Sequence, residues 1–260
     1  MLRDRLIFGL IYNNGAFMQS RNFRLQRVGD INWLEKNYKF QKISFSIDEL
    51  VVVDASRNDK NIEVFASTVR RLVEKVFVPV AAGGGIKKVS DAETLFLNGA
   101  DKVVINSALY RDPDLVKQII DRYGSQSLVA SVDYKMSEGE CCVYIDDGST
   151  LIEASLLEYL SYVESLGVGE ILLNSIDKDG TGFGYDLDIV SQYCSGLNVP
   201  LILMGGAGKE SHLLDGMKLP EVSAVATANL FNFIGNGLPN AREFMLSSGA
   251  NLANWNPGCR

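Results

Sequence analysis

AAGGGIKKVSDAETLFLNGADKVVINSAL, residues 81–109, carries one complete structural unit. An apolar run over Phe77–Ala82 predicts a strand, and Gly83, Gly84 and Gly85 follow it as a tight turn. Apolar residues at helical spacing then run over Val89–Asn98, and a second apolar run over Lys102–Asn106 predicts the next strand. Both strand runs are nearly continuous rather than alternating, the pattern of parallel strands covered on both faces.

The same rhythm extends in both directions. Further strands are predicted over Arg5–Tyr12, Glu49–Asp54, Leu128–Asp133, Glu170–Asn174, Leu201–Met204 and Ala224–Ala228. Helices are predicted over Asn61–Lys75, Pro113–Tyr123, Ile152–Leu166 and Leu187–Cys194. Eight β-then-α units point to an α/β fold, a (β/α)8 TIM barrel formed by residues 1–260 as a single domain. A doubly wound open sheet would want a G-x-G-x-x-G turn after the first strand, and none stands there.

The two halves echo each other. Gly205-Gly206-Ala207-Gly208 answers Gly83-Gly84-Gly85, with the first glycines 122 residues apart. The same offset carries Asn106-Ser107 to Ala228-Asn229 and Asp54 to Ile176, beside Asp177. The barrel therefore reads as two half-barrel repeats about an internal pseudo-twofold axis.

Of the 260 residues, 47% are hydrophobic, enough for a large core, and no apolar run reaches the length of a membrane span. A net charge of −7 and a pI near 4.9 argue against nucleic acid, which selects a basic face. Cys141, Cys142, Cys194 and Cys259 form neither a disulfide framework nor a zinc pattern. They read as free thiols in a reducing cytoplasm. The lone His212 cannot anchor a multi-histidine metal site and reads as a structural surface residue. No metal or cofactor is expected, and no membrane partner.

The glycine turns let backbone N–H groups approach a ligand, and the turns after strands four and eight lead into helix N-termini. Each half then offers a phosphate cradle: Gly85, Asn106 and Ser107 in one, Gly206, Ala228 and Asn229 in the other. Read singly, such glycines only make tight turns; two at matched positions favour a phosphorylated small molecule. Among the carboxylates at strand ends (Asp54, Asp133, Asp177 and Asp179), Asp133 stands out, at the end of strand five in SVDYK, with Lys135 placed by alternation on the same side. A carboxyl at the mouth of an apolar barrel suits general acid/base work, or else fixes a loop. A symmetric partner would lie 122 residues earlier, where the residue is Ile11. At the opposite end of the barrel, Arg5, Glu49, Lys102 and Glu170 begin four strands; they form either a purposeful gate or a structural charge ring.

Taken together, DELVVVDAS (48–56), residues 81–109, YGSQSLVASVDYK (123–135), GEILLNSIDKDGTGFGYD (169–186) and LILMGGAGKESH (201–212) resemble the cyclase subunit family of imidazole glycerol phosphate synthase. The likeness runs from Met1 to about Phe233. It implies a glutaminase partner, in a heterodimer, on the N-terminal face of the barrel. Ammonia released there crosses the barrel to a substrate with two phosphates. The products are imidazole glycerol phosphate and an aminoimidazole carboxamide ribotide, so the implied activity is that of a lyase of histidine biosynthesis. The family's gate matches Arg5, Glu49, Lys102 and Glu170 residue for residue. Gly180, in the DKDGTG segment, joins the phosphate-binding set. One family aspartate matches Asp133. The other lies in a segment of form C-L-D-V-K-D-G-R-V-V-K-G, which here reads GLIYNNGAFMQS (9–20), so Ile11 replaces the aspartate and Gln19 the loop lysine. Asn174, Met204 and Asn229 replace a threonine and two serines, and DDGSTLIEAS (146–155) also departs from the family form.

These changes cluster at the catalytic mouth while the gate is kept. An isoleucine moves no proton, and losing such a group costs about 10²–10⁴ in rate. The favoured expectation is a divergent relative that conducts ammonia to a non-histidine amidation such as amidino-sugar synthesis, with an ATP-dependent amidotransferase as a further partner. The alternatives are a working cyclase using Asp133 and a non-enzymatic sensor of a phosphate ligand.

Overall fold

A computed structural model describes residues 3–38, 40–57 and 60–254. Twelve strands are present in them: β1 Arg5–Asn13, β2 Ala16–Arg21, β3 Arg24–Gly29, β4 Glu49–Asp54, β5 Val80–Gly83, β6 Lys102–Ile105, β7 Leu128–Ser137, β8 Glu140–Ile145, β9 Thr150–Ser155, β10 Glu170–Ser175, β11 Leu201–Met204 and β12 Val222–Thr227. Eight of them, β1, β4, β5, β6, β7, β10, β11 and β12, pair in parallel in that order, and β12 returns to β1. The sheet is thus a closed (β/α)8 barrel. The larger apolar core lies between barrel and helices, where Leu6, Phe8, Leu50, Phe65, Leu95 and Leu109 are fully buried. A smaller one fills the barrel interior with Ile7, Val51, Val129, Leu172 and Ile202.

Some boundaries differ from the sequence reading. The third barrel strand starts at Val80 rather than Phe77. Phe77 is 65% exposed, and Pro79 has no N–H to give a ladder. Residues 152–155 belong to β9, antiparallel to β8, and the helix begins only at Leu156. Its start is fixed by a capping box, Ser155 with Glu158, a signal present in the sequence. The four hairpin strands β2, β3, β8 and β9 lay outside the expected scheme.

Those hairpins make the half-barrel repeat visible. Each half opens with a long strand folded back into an antiparallel hairpin, β1–β2–β3 and β7–β8–β9. Tyr12 pairs with Asp54 as Tyr134 pairs with Ser175. Tyr12 and Tyr134 are 122 residues apart, but Asp54 and Ser175 only 121, because the second half has one residue fewer before β10. The counterpart of Asp54 is therefore Ser175, not Ile176. The glycines confirm it: a Cβ on Gly84 would stand 2.2 Å from the Asp54 carbonyl oxygen, and one on Gly205 2.6 Å from that of Ser175. Both glycines hold φ near +100°, at +105° and +92°, where a side chain is strained.

Candidate functional site

Along the barrel axis the inward residues form three layers. At the N-terminal end, Arg5 bridges Glu49 at 3.0 Å and Glu170 at 2.8 Å, and Lys102 bridges the same two at 3.0 and 3.1 Å. Charges alternate around the ring. Glu49 is almost fully buried, and burial raises its pKa against the pull of Lys102 and Arg5. Above the ring comes the apolar layer, in which Ala81, Ala224 and Ala226 are small.

The third layer is the mouth, a cavity of about 870 Å³. β1 and β7 stand four strands apart in either direction around the ring, so Ile11 and Asp133 line this cavity from opposite sides. Asp133 is 8% exposed and accepts hydrogen bonds from Asn106 Nδ2 at 3.1 Å and Asn174 Nδ2 at 2.9 Å. Burial raises its pKa to about 7, with the Asn174 hydrogen bond working in the other direction. Such a carboxyl exchanges a proton near neutrality. Lys135 is not beside it: its ammonium lies over the Tyr144 ring, 5.3 Å from the centroid.

Gly85, Asn106 and Ser107 line the same cavity, between β5 and β6. Asn106 spends its amide on Ser131 O and Asp133, while Ser107 Oγ accepts from Asp146 N–H at 3.1 Å. Among the described residues neither the Gly85 nor the Ser107 N–H has a partner. Arg57, Lys60, Lys87 and Arg111 also line this cavity, a cationic set the sequence reading missed because they lie in separate loops without a shared motif. Asp147 was missed as well. It faces the cavity from the β8–β9 turn with φ +57°, in the segment already noted as unusual, and burial raises its pKa while Lys60 and Arg57 lower it.

Gly180, Gly206, Ala228 and Asn229 line a second cleft of about 20 Å³, room for roughly one water, which shares Asp179 and Met204 with the mouth cavity. Gln19 reaches into it, and its Oε1 accepts the Leu230 N–H at 2.8 Å. The other strand-end carboxylates fix loops. Asp54 accepts from Ser56 N–H, Asp177 from Met136 N–H, and Asp179 from Ser20 Oγ and Phe23 N–H. The Asp179 contacts, with those of Asn22 to the Ile176 and Asp177 carbonyls, pin the β2–β3 turn across the mouth. His212 accepts the Gly208 N–H at 3.3 Å. Cys141, Cys142 and Cys194 are free thiols, and Cys259 lies outside the described residues. Among the described residues no group of three or more His, Cys, Asp or Glu is placed to hold a metal ion, and no helix is long and apolar enough to cross a membrane.

Comparison with known proteins fits this geometry. The family described as "Histidine biosynthesis protein" matches residues 19–234. "Putative imidazole glycerol phosphate synthase subunit hisF2" of Parasynechococcus marenigrum (strain WH8102) is 44% identical over 256 residues, covering 98% of this chain and 95% of the relative. "Imidazole glycerol phosphate synthase subunit HisF" of Chlorobaculum parvum (strain DSM 263 / NCIMB 8327) is 35% identical over 250 residues, 96% and 98% of the two chains. The protein of the same name from Hydrogenobaculum sp. (strain Y04AAS1) is 36% identical over 247 residues, 94% and 96%.

Proposed function

This chain belongs to the cyclase-subunit family of imidazole glycerol phosphate synthase, and on that premise we propose that it pairs with a glutaminase and conducts ammonia through its barrel to a non-histidine amidation. The observation that carries the reading is the contrast between the two barrel ends. The gate-end quartet Arg5, Glu49, Lys102 and Glu170 is fully ion-paired. At the mouth, the position facing Asp133 is an isoleucine, so one of two acid/base groups is missing. A charged ring excludes ions, and the apolar layer above it suits a small neutral molecule. In this reading the amidation is one such as amidino-sugar synthesis in the cytoplasm, with an ATP-dependent amidotransferase as a further partner.

The test is co-expression and co-purification with a glutaminase subunit from the same genome, followed by glutamine hydrolysis with and without the barrel. A complex with barrel-dependent hydrolysis is expected. No complex at micromolar concentration removes the reading.

A working cyclase is the second reading, favoured by Asp133, whose pKa near 7 suits proton transfer. It is separated by turnover of the histidine-pathway substrate with free ammonia. We expect a rate about 10²–10⁴ below that of a two-aspartate cyclase, partly recovered by Ile11→Asp. Near-normal turnover by the unaltered chain establishes the cyclase instead.

A further inference from the structure

We infer that the mouth accepts a ligand with a single anionic end, a phosphomonoester, because the chain's own Gln19 seals the second of the two cradles. The inference rests on reading the mouth as a phosphate site and narrows the class of molecule it takes.

The two ends of the mouth are chemically unlike. Arg57, Lys60, Lys87 and Arg111, from the loops that follow β4, β5 and β6, line the mouth, whose whole cavity of about 870 Å³ also reaches Asn174, Asp179 and Met204. Lys87 has no carboxylate partner among the described residues, and the Gly85 and Ser107 N–H groups are open. At the β11–β12 end only about 20 Å³ remains, and neither lysine nor arginine lines it. Beside it the Leu230 N–H goes to Gln19 Oε1 at 2.8 Å, Asn229 N–H to Thr227 Oγ1 at 3.3 Å, and Asn232 N–H to Asn229 Oδ1 at 3.0 Å, while among the described residues the Gly206 and Ala228 N–H groups have no partner. Asp179 lines both this cleft and the main cavity, its carboxylate held by Ser20 Oγ and Phe23 N–H. Gln19 therefore does in place what a second phosphate would do, accepting a backbone N–H of the β12 loop. Asp133 faces the cavity, and Asp147 lines it near Lys60 and Arg57. The Asp133 carboxyl favours hydroxyl or amine groups on the remainder of the ligand.

The test is an amide NMR titration of the whole chain with inorganic phosphate, then with ribose 5-phosphate and fructose 1,6-bisphosphate. The Gly85 and Ser107 amides are expected to shift saturably, while those of Gly206, Asn229 and Leu230 stay still. The two sugar phosphates should bind within a few-fold of each other, since a second anchored phosphate would add roughly tenfold or more. Gln19→Ala should free the Leu230 N–H, bring the Asn229 and Leu230 amides into the response and favour the bisphosphate. Gln19→Leu keeps the bulk without the acceptor and checks a folding defect in the first variant. Saturable shifts at Gly206 and Leu230 in the unaltered chain, or a tenfold preference for the bisphosphate, overturn the inference. So does silence of both sets of amides. Glutaminase binding is measured separately, so a barrel that forms the complex but ignores phosphate sinks this inference and leaves the conduit standing.

Discussion

Asp133 couples the candidate chemistry to stability. In the unfolded chain its carboxyl ionises near 3.8; in the barrel, burial holds the proton to about 7. Between those values the folded state keeps a proton that the unfolded state has lost. This contribution to stability is therefore full below pH 3.8, falls as pH rises, and is flat again above about pH 7. Asp133→Asn removes the penalty and should stabilise the protein at pH 8 by up to about 4 kcal/mol, with little gain near pH 4. The new amide has a partner to hand, since Asn174 Oδ1 is buried without a hydrogen bond and a rotated Asn174 carboxamide can accept from it. Denaturant unfolding at the two pH values measures this, and an equal gain at both refutes the assignment. Ile11→Asp makes the opposite change at the facing position: it should lower stability at neutral pH while raising cyclase turnover, two effects one purified variant can report. That Ile11 is the residue facing Asp133 was legible from the half-repeat arithmetic alone. The contact of Gln19 was not, because its partner Leu230 lies 211 residues away and no local pattern ties them.

Secondary elements were legible where burial on both faces writes a continuous apolar run, as in Glu49–Asp54 and Leu201–Met204, whose observed bounds match the expected ones. The hairpin strands were harder. β3 has no buried residue and pairs only with β2, so it leaves no hydrophobic period to read. The one-residue difference between half-repeats was also hidden, since a single offset fitted to two glycine runs cannot detect a connection shortened by one residue. The last helix, Gly237–Ser247, is fastened by an ion pair that the sequence did not suggest. Arg242, 4% exposed, meets Asp48 through two hydrogen bonds of 2.8 and 2.9 Å, and also donates to the Ala253 carbonyl. Asp48 in turn accepts the Leu6 N–H at 2.8 Å, so one carboxylate ties the helix to β1. Arg242→Met keeps much of the apolar stem and removes the Arg242 cation from Asp48. The expected cost is about 3–5 kcal/mol by chemical denaturation. A loss under about 1 kcal/mol would place the pair with exposed bridges of little worth.

For the whole molecule, the question is what the charged ring at one end of the barrel does. Stability alone is a weak reason. A ring of two cations and two anions in a largely buried place gives back much of its Coulombic gain as lost hydration, and well-packed apolar residues often do as well. The ring also closes the barrel bottom, with Arg5 and Lys102 each touching both glutamates, so removing one cation leaves Glu49 and Glu170 repelling each other. Lys102→Met tests the two accounts together. If the ring is structural only, the variant loses stability and nothing else; the loss should be on the order of 3 kcal/mol, because two buried carboxylates lose one of their cations. If the ring gates ammonia, a second effect appears in the complex with glutaminase. Glutamine hydrolysis continues, but ammonia escapes to solvent and the yield of amidated product per glutamine falls. The measurement is the ratio of glutamate formed to ammonia captured by an external dehydrogenase, at a temperature where both proteins remain folded. Glu170→Gln is the companion: it keeps shape and hydrogen bonding while removing one negative charge, and should leak with a smaller loss of stability. A leak in both variants assigns the ring to ammonia. Full coupling in both, despite a measured loss of stability, returns it to the fold.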